Sequence, residues 1–167
     1  MPIICRLLEL TPEQGASLTA HPNDLDQVVA ASRSSSDVYR YWHAIEYLLA
    51  WHRPDSVAAQ WLELGQAVAT PTQDLPASRL LPSQEVVRLD EALDGVEPED
   101  LGPHYDASAL DQAGVYPRCW QTWEETFDPL GQVLEHYWFL WQFVRHCRAN
   151  GAALVLYFTF LDDGSDT

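Results

Sequence analysis

The strongest constraint on how this chain folds lies between Asp128 and Phe160. From Asp128-Pro129 onward, apolar side chains at Leu130, Val133, Leu134, Tyr137, Trp138, Leu140, Trp141, Val144 and Cys147 recur at helical spacing and share one wide stripe. The spacing predicts a long helix that ends near Gly151, with Arg145 and Arg148 in its last turns, where cations suit the carbonyl end of a helix. A stripe of that breadth demands cover, because each large side chain taken out of water contributes roughly 1.5–3 kcal/mol. The run that follows, Ala152 to Phe160, is rich in Val, Leu, Tyr and Phe and predicts a strand.

The opening of the chain reads as a second strand, Ile3 to Leu10. It gives way at Thr11-Pro12-Glu13-Gln14 to a helix with Thr as cap and Pro in its first position. A short helix through Leu25, Val28 and Val29 follows His21-Pro22, and the Ser34-Ser35-Ser36 stretch is expected to break it. From Asp37 as cap, the positions Val38, Tyr41, Trp42, Ile45, Leu48, Leu49 and His52 predict an amphipathic helix that must stop before Pro54. Between Asp55 and Gln84 the signal weakens to a short helix at Val57 to Leu64, a short strand at Gln66 to Thr70 and an irregular connection through Pro71, Pro76 and Pro82. Ser83 to Leu93 is helical again, and Gly95 to Pro103 is expected to be an acidic surface segment.

With strands at both ends and few between them, the expected fold is α+β. It is one domain with a small mixed or antiparallel sheet of N- and C-terminal strands, packed by several helices on one face, the long C-terminal helix standing just before the last strand. The 167 residues and a 47% hydrophobic content, with seven Trp, seven Tyr and five Phe, suffice for one core. The domain is expected to span residues 1–161, leaving 162–167 as a frayed acidic tail.

Charge narrows the function classes. All nine basic residues are Arg, and against 25 acidic residues they leave a formal charge of −16. Such a field repels phosphate backbones, so no nucleic-acid role is expected, while encounter with a basic protein is favoured. The same surface also fits a protein that merely stays in solution. Cys5, Cys119 and Cys147 lack the spacing of a zinc or redox pair and point to a reducing compartment; no signal peptide and no run of 18 apolar residues occurs, so the expected location is the cytoplasm, away from membranes.

One resemblance is carried by named residues. Asp37 to Ala50, with its Trp42-His43 followed by an apolar run, resembles the helix motif of the YfbM-like bacterial family of unknown function. Tyr105-Asp106, Ala113 to Pro117, Trp120, Leu134 to Tyr137 and Val155 to Thr159 match the same family in order and spacing, so the resemblance spans essentially the whole chain. It implies an α+β fold and a bacterial, cytoplasmic protein, and it implies no reaction.

Few residues combine into chemistry. His43 and Glu46, three apart on one helix, form a possible acid–base pair that Asp106 or His104 would complete from elsewhere. Packing at a core edge accounts for His43 more simply. Trp42, His43, Tyr116 and Trp120, with Trp123 beside them, have the mixture of aromatic faces and polar tips that lines ligand pockets. No zinc signature, glycine-rich phosphate loop or nucleophile elbow is present, so neither a metal nor a cofactor is expected. Arg118 beside Cys119 would lower a thiol pKa, yet a lone Cys without a placed base carries no catalysis.

Two functions compete on these observations. The favoured one is a non-catalytic acidic binding protein of the immunity or antitoxin type, which neutralises a basic bacterial toxin or effector by occluding its active site. Its contacts are expected from Glu85, Asp90, Glu91, Asp94, Glu97, Glu99 and Asp100, and from Glu124, Glu125 and Asp128 beside an exposed Trp123. The alternative is a small enzyme or small-molecule-binding protein built around His43, Glu46 and Asp106. The sequence leaves oligomeric state open.

Overall fold

The computed structural model describes residues 1–68 and 74–161. In chain order its elements are β1 (Ile3–Leu10), α1 (Pro12–Ala20), α2 (Leu25–Ala30), β2 (Ser34–Tyr39), α3 (Trp42–His52), a 3₁₀ segment (Val57–Glu63), β3 (Gln66–Ala67) and β4 (Arg79–Leu81). The second half adds α4 (Ser83–Leu93), α5 (Pro98–Leu101), α6 (Ala107–Gln112), α7 (Trp120–Glu124), α8 (Pro129–Ala149) and β5 (Ala153–Phe160). The fold is α+β, with one five-stranded antiparallel sheet in the order β2-β1-β5-β4-β3.

The two strands read from the ends of the chain are neighbours at the middle of that sheet. Ile3 pairs with Phe160, Leu7 with Leu156 and Leu10 with Ala153. Their near-continuous apolar runs follow from burial on both faces. Cys5, Leu7, Leu154, Leu156 and Phe158 turn toward α3, α4 and α8, whereas Leu8, Leu10, Ala153 and Val155 turn toward Leu18 of α1 and Leu25 and Val28 of α2. The expectation of helices on one face is therefore corrected: α1 and α2 close the second face.

Local chemistry sets the element boundaries. Thr11 and Gln14 form a reciprocal capping box at α1, with the Gln14 N–H donating to the Thr11 hydroxyl at 3.1 Å and the Thr11 N–H to the Gln14 amide oxygen at 2.9 Å. Asp128 caps α8 by accepting the Gly131 N–H at 2.9 Å. The serines expected to break a helix instead form β2, because β1 offers that stretch a ladder of backbone partners, Leu7 to Ser36 and Leu8 to Ser35 among them. Asp37 belongs to that strand, its carboxylate accepting the Tyr39 N–H, and the chain leaves the sheet through Tyr39 in a left-handed conformation (φ 50°). Helix α3 thus begins at Trp42, later than Asp37 suggested.

The acidic segment after α4 is not purely surface. It carries α5 and sends Val96 and Leu101 fully into the core, where the Val96 carbonyl accepts the Tyr137 hydroxyl at 2.7 Å. Strand β4 replaces part of the expected irregular connection. The short strand expected at Gln66 to Thr70 is present at Gln66–Ala67, and residues 69–70, like the tail 162–167, lie outside the described residues. On α8 the buried face is rotated from the one the spacing gave: Trp138 is 42% exposed, while Phe143 is buried.

Candidate functional site

The first turns of α3 present Trp42, His43 and Glu46 to a cleft of about 290 Å³. The opposite walls come from Leu62 and Glu63 of the 3₁₀ segment, Arg79 of β4 and Phe158 of β5. Trp42 is fixed from several sides. Its indole N–H donates to the Ile3 carbonyl at 3.2 Å, its ring stacks with His43 and Tyr116 at centroid separations of 5.3 Å each, and Phe158 meets it edge-on at 5.2 Å.

His43 has a defined tautomer. Its Nδ1 accepts the Tyr116 N–H at 3.0 Å, so in the neutral ring the proton sits on Nε2. A proton added at Nδ1 would face that N–H, and burial followed by the nearby Arg118 charge holds the His43 pKa below its ordinary value. Tyr116 is itself tied down, its hydroxyl accepting the Ile3 N–H at 2.6 Å.

Glu46 is shifted the other way. Burial raises its carboxyl from 4.5 to about 7; the Leu62 N–H donated to its Oε2 at 3.2 Å opposes that rise, and Glu63 adds to it. Near neutral pH the cleft therefore holds an uncharged imidazole and a carboxyl poised between its two forms. Arg79 is pinned by the main chain: Nε donates to the Leu64 carbonyl at 3.0 Å, and Nη2 to the Glu63 and Gly65 carbonyls at 2.7 and 2.8 Å.

Of the residues singled out in the sequence, Trp42, His43 and Glu46 meet in this cleft, with Tyr116 stacked behind them. Asp106 does not join them. It caps α6 by accepting the Ala109 N–H at 2.9 Å, so the His43, Glu46 and Asp106 triad is corrected to a pair. His104 is engaged elsewhere, 3.3 Å from His52. Trp120 is likewise outside the cleft, fully buried among Tyr41, Tyr105 and Trp123, its backbone N–H donating to Asp111 at 2.9 Å and its indole N–H to the Val115 carbonyl at 3.1 Å. The Cys119 thiol is raised, by burial first and then by Asp111, and Arg118 turns back to the Gly114 carbonyl at 3.2 Å instead of activating it. Among the described residues, no group of three or more His, Cys, Asp or Glu side chains is placed to hold a metal ion.

The acidic residues divide into two sets. Those of α4 and its C-cap face arginines of the protein itself: Glu85 pairs with Arg88 at 3.0 Å, Glu91 with Arg148 at 3.6 Å and the C-cap Asp94 with Arg145 at 3.2 Å. Asp90 is only 5% exposed and lies 2.9 Å from Arg148 and 3.8 Å from Arg145, which removes it from any surface. The second set has no ion pair among the described residues. Glu97 and Asp100 form the capping box of α5, Asp128 caps α8, and Glu99, Glu124 and Glu125 are exposed. Tyr105 lies beside the second of these stretches, its hydroxyl raised by burial first and then by Glu124 and Asp128. Trp123 is half-buried beneath the Arg40 guanidinium at 4.9 Å, not exposed as expected; Phe127, 5.3 Å from the Trp123 ring and 39% exposed, takes the outward position.

Phe158, Glu63 and Arg79 escaped sequence reasoning, since strand pairing and a 3₁₀ turn bring them to α3. The one local hint was Arg79 beside Leu80 and Leu81, a lone cation entering an apolar strand.

A sequence model of the family described as "Domain of unknown function (DUF1877)" matches residues 1–157. No curated protein matches the chain. Among solved structures the chain is similar to the crystal structure of a protein of unknown function, YfbM from Escherichia coli, at 15% identity and a TM-score of 0.67, over 93% of this chain and 99% of that one. At that identity the likeness concerns the fold. No helix among the described residues is long and apolar enough to cross a membrane.

Proposed function

This chain belongs to the DUF1877 family, a premise that supplies a fold and no reaction, and on it we propose a non-catalytic acidic binding protein that recognises a basic protein. Its most concrete form is an immunity or antitoxin protein, bacterial and cytoplasmic, that covers the active site of a basic toxin or effector.

The observation that carries this reading is the division of the carboxylates. Arginines of the protein consume those of α4, whereas Glu97, Glu99, Glu124, Glu125 and Asp128 find no cation among the described residues. Of these, Glu124, Glu125 and Asp128 flank Phe127 in the chain, an exposed aromatic ring of the kind that anchors interfaces. Complementary charge acts chiefly on the rate of encounter and on partner choice, so a partner rich in Lys or Arg is favoured, and association should slow steeply with salt.

The test is capture of the partner from the producing cell at 50 and 300 mM salt, with wild type and with a Glu97→Lys, Glu99→Lys, Glu124→Lys, Glu125→Lys variant. The proposal expects a basic protein retained by wild type at low salt, lost with the variant, and inhibited when mixed with wild type. Retention by both forms, or no cationic protein even at 50 mM salt, would overturn it.

A further inference from the structure

The cleft beside α3 holds one arginine, Arg79, and two carboxyls, Glu46 and Glu63, none of them in an ion pair among the described residues. Arg88, Arg145 and Arg148 all pair with carboxylates. Arg79, like Arg6, Arg33, Arg40, Arg53 and Arg118, pairs with none among the described residues; what sets it apart is that its Nε and Nη2 are held by three carbonyls, so that its direction is set and its charge is not cancelled. Glu46, across the cleft, has one oxygen on the Leu62 N–H and no cation within ion-pair distance among the described residues.

We propose that this cleft binds a small zwitterion of the α-amino-acid type, its ammonium group on Glu46 and its carboxylate on Arg79. The His43 Nε2–H is a second donor for that carboxylate, fixed by the tautomer that Tyr116 imposes. Trp42 and Phe158 offer an apolar wall, which favours a hydrophobic side chain on the ligand. At about 290 Å³ the cleft falls at the lower edge of the ~300–1,000 Å³ of ordinary ligand pockets, a size for a free amino acid or a dipeptide.

The titration of Glu46 supports this assignment. The groups facing it are His43 on the same helix, Glu63 from the 3₁₀ segment and Arg79 from β4. With its pKa near 7 it is largely protonated in mildly acid solution, and an ammonium ligand binds the ionised form, so binding releases protons. Affinity should rise by ~10-fold or more between pH 5.5 and 7.5.

Isothermal titration with L-leucine and L-phenylalanine tests it, together with N-acetyl-L-leucine, which lacks the ammonium, and L-leucinamide, which lacks the carboxylate. Expected are binding of at least one free amino acid, at least tenfold weakening on either block, and heats that differ between phosphate and Tris buffers through the released proton. Glu46→Gln, which keeps an oxygen for the Leu62 N–H, should weaken binding at least tenfold while its thermal unfolding shows an intact fold. Absence of binding by either free amino acid at millimolar concentration overturns the proposal, as do equal affinity for the blocked forms and unchanged binding by Glu46→Gln. Glu46→Gln lies apart from the acidic surface, so capture of a basic partner by this variant separates the two readings.

Discussion

Glu46→Gln should make the protein more stable at alkaline pH and leave it unchanged in acid. In the unfolded chain this carboxyl titrates near 4.5; folding raises it to about 7, chiefly by burial. The folded state thus holds the proton more tightly. Stability contributed by the protonated carboxyl is fully present below pH 4.5 and is lost as pH rises through about 7. Taken in full, that gap corresponds to about 3 kcal/mol, and because Glu46 is only half-buried, solvent screening reduces the expected penalty to roughly 1–2 kcal/mol. The amide of Gln pays no ionisation penalty and still accepts the Leu62 N–H. For a chain of this length, the variant should melt roughly 2–8 °C above wild type at pH 8.5 and coincide with it at pH 4.5. Paired thermal and urea unfolding across that range measures the difference. A difference that does not change with pH, or a variant less stable than wild type at pH 8.5, would show that burial does not govern this carboxyl.

Three further outcomes are expected. Asp90→Ala removes the buried carboxylate that Arg145 and Arg148 share, but each half-exposed arginine keeps a second carboxylate, Asp94 and Glu91, so a cost of about 1–2 kcal/mol in urea unfolding is expected, whereas Glu91→Ala, on the exposed side of the same helix, should change stability by less than about 0.5 kcal/mol. Gly65→Ala combines a left-handed backbone (φ +70°) with a Cβ that would run into the Leu80 carbonyl, so a loss above ~2 kcal/mol and faster amide exchange at Gln66 and Ala67 are expected. Tyr137→Phe removes the 2.7 Å hydrogen bond to the Val96 carbonyl in the core and should lower stability by about 1–2 kcal/mol, read by calorimetry.

What the sequence disclosed and what it concealed follow from how local each determinant is. Helix α8 and strands β1 and β5 were legible because burial writes a period or an apolar run into their own residues. The orientation of α8 was not fully legible: with Trp138, Phe139, Trp141 and Phe143 nearly adjacent, two faces of the helix are almost equally apolar, and only packing on β2 and α4 decides between them. Strand β2 is not legible in its own residues because serine has no strong preference of its own and takes its structure from β1. In the cleft, His43 and Glu46 were found through their spacing on one helix. Asp106 misleads because a carboxylate used as a helix cap looks, in sequence, like a carboxylate available for chemistry. Arg79 stayed hidden because its partners are backbone carbonyls, which every residue carries.

The pairing of β1 with β5 has a bearing on biosynthesis. Ile3 to Leu10 is made well over a hundred residues before the neighbour that fills one of its edges, Ala153 to Phe160. Until then the segment is an apolar hairpin partner at best for β2, with one edge open to other nascent chains. The sheet therefore closes only once β5 has been made, and chaperone dependence should track the delay between the two strands.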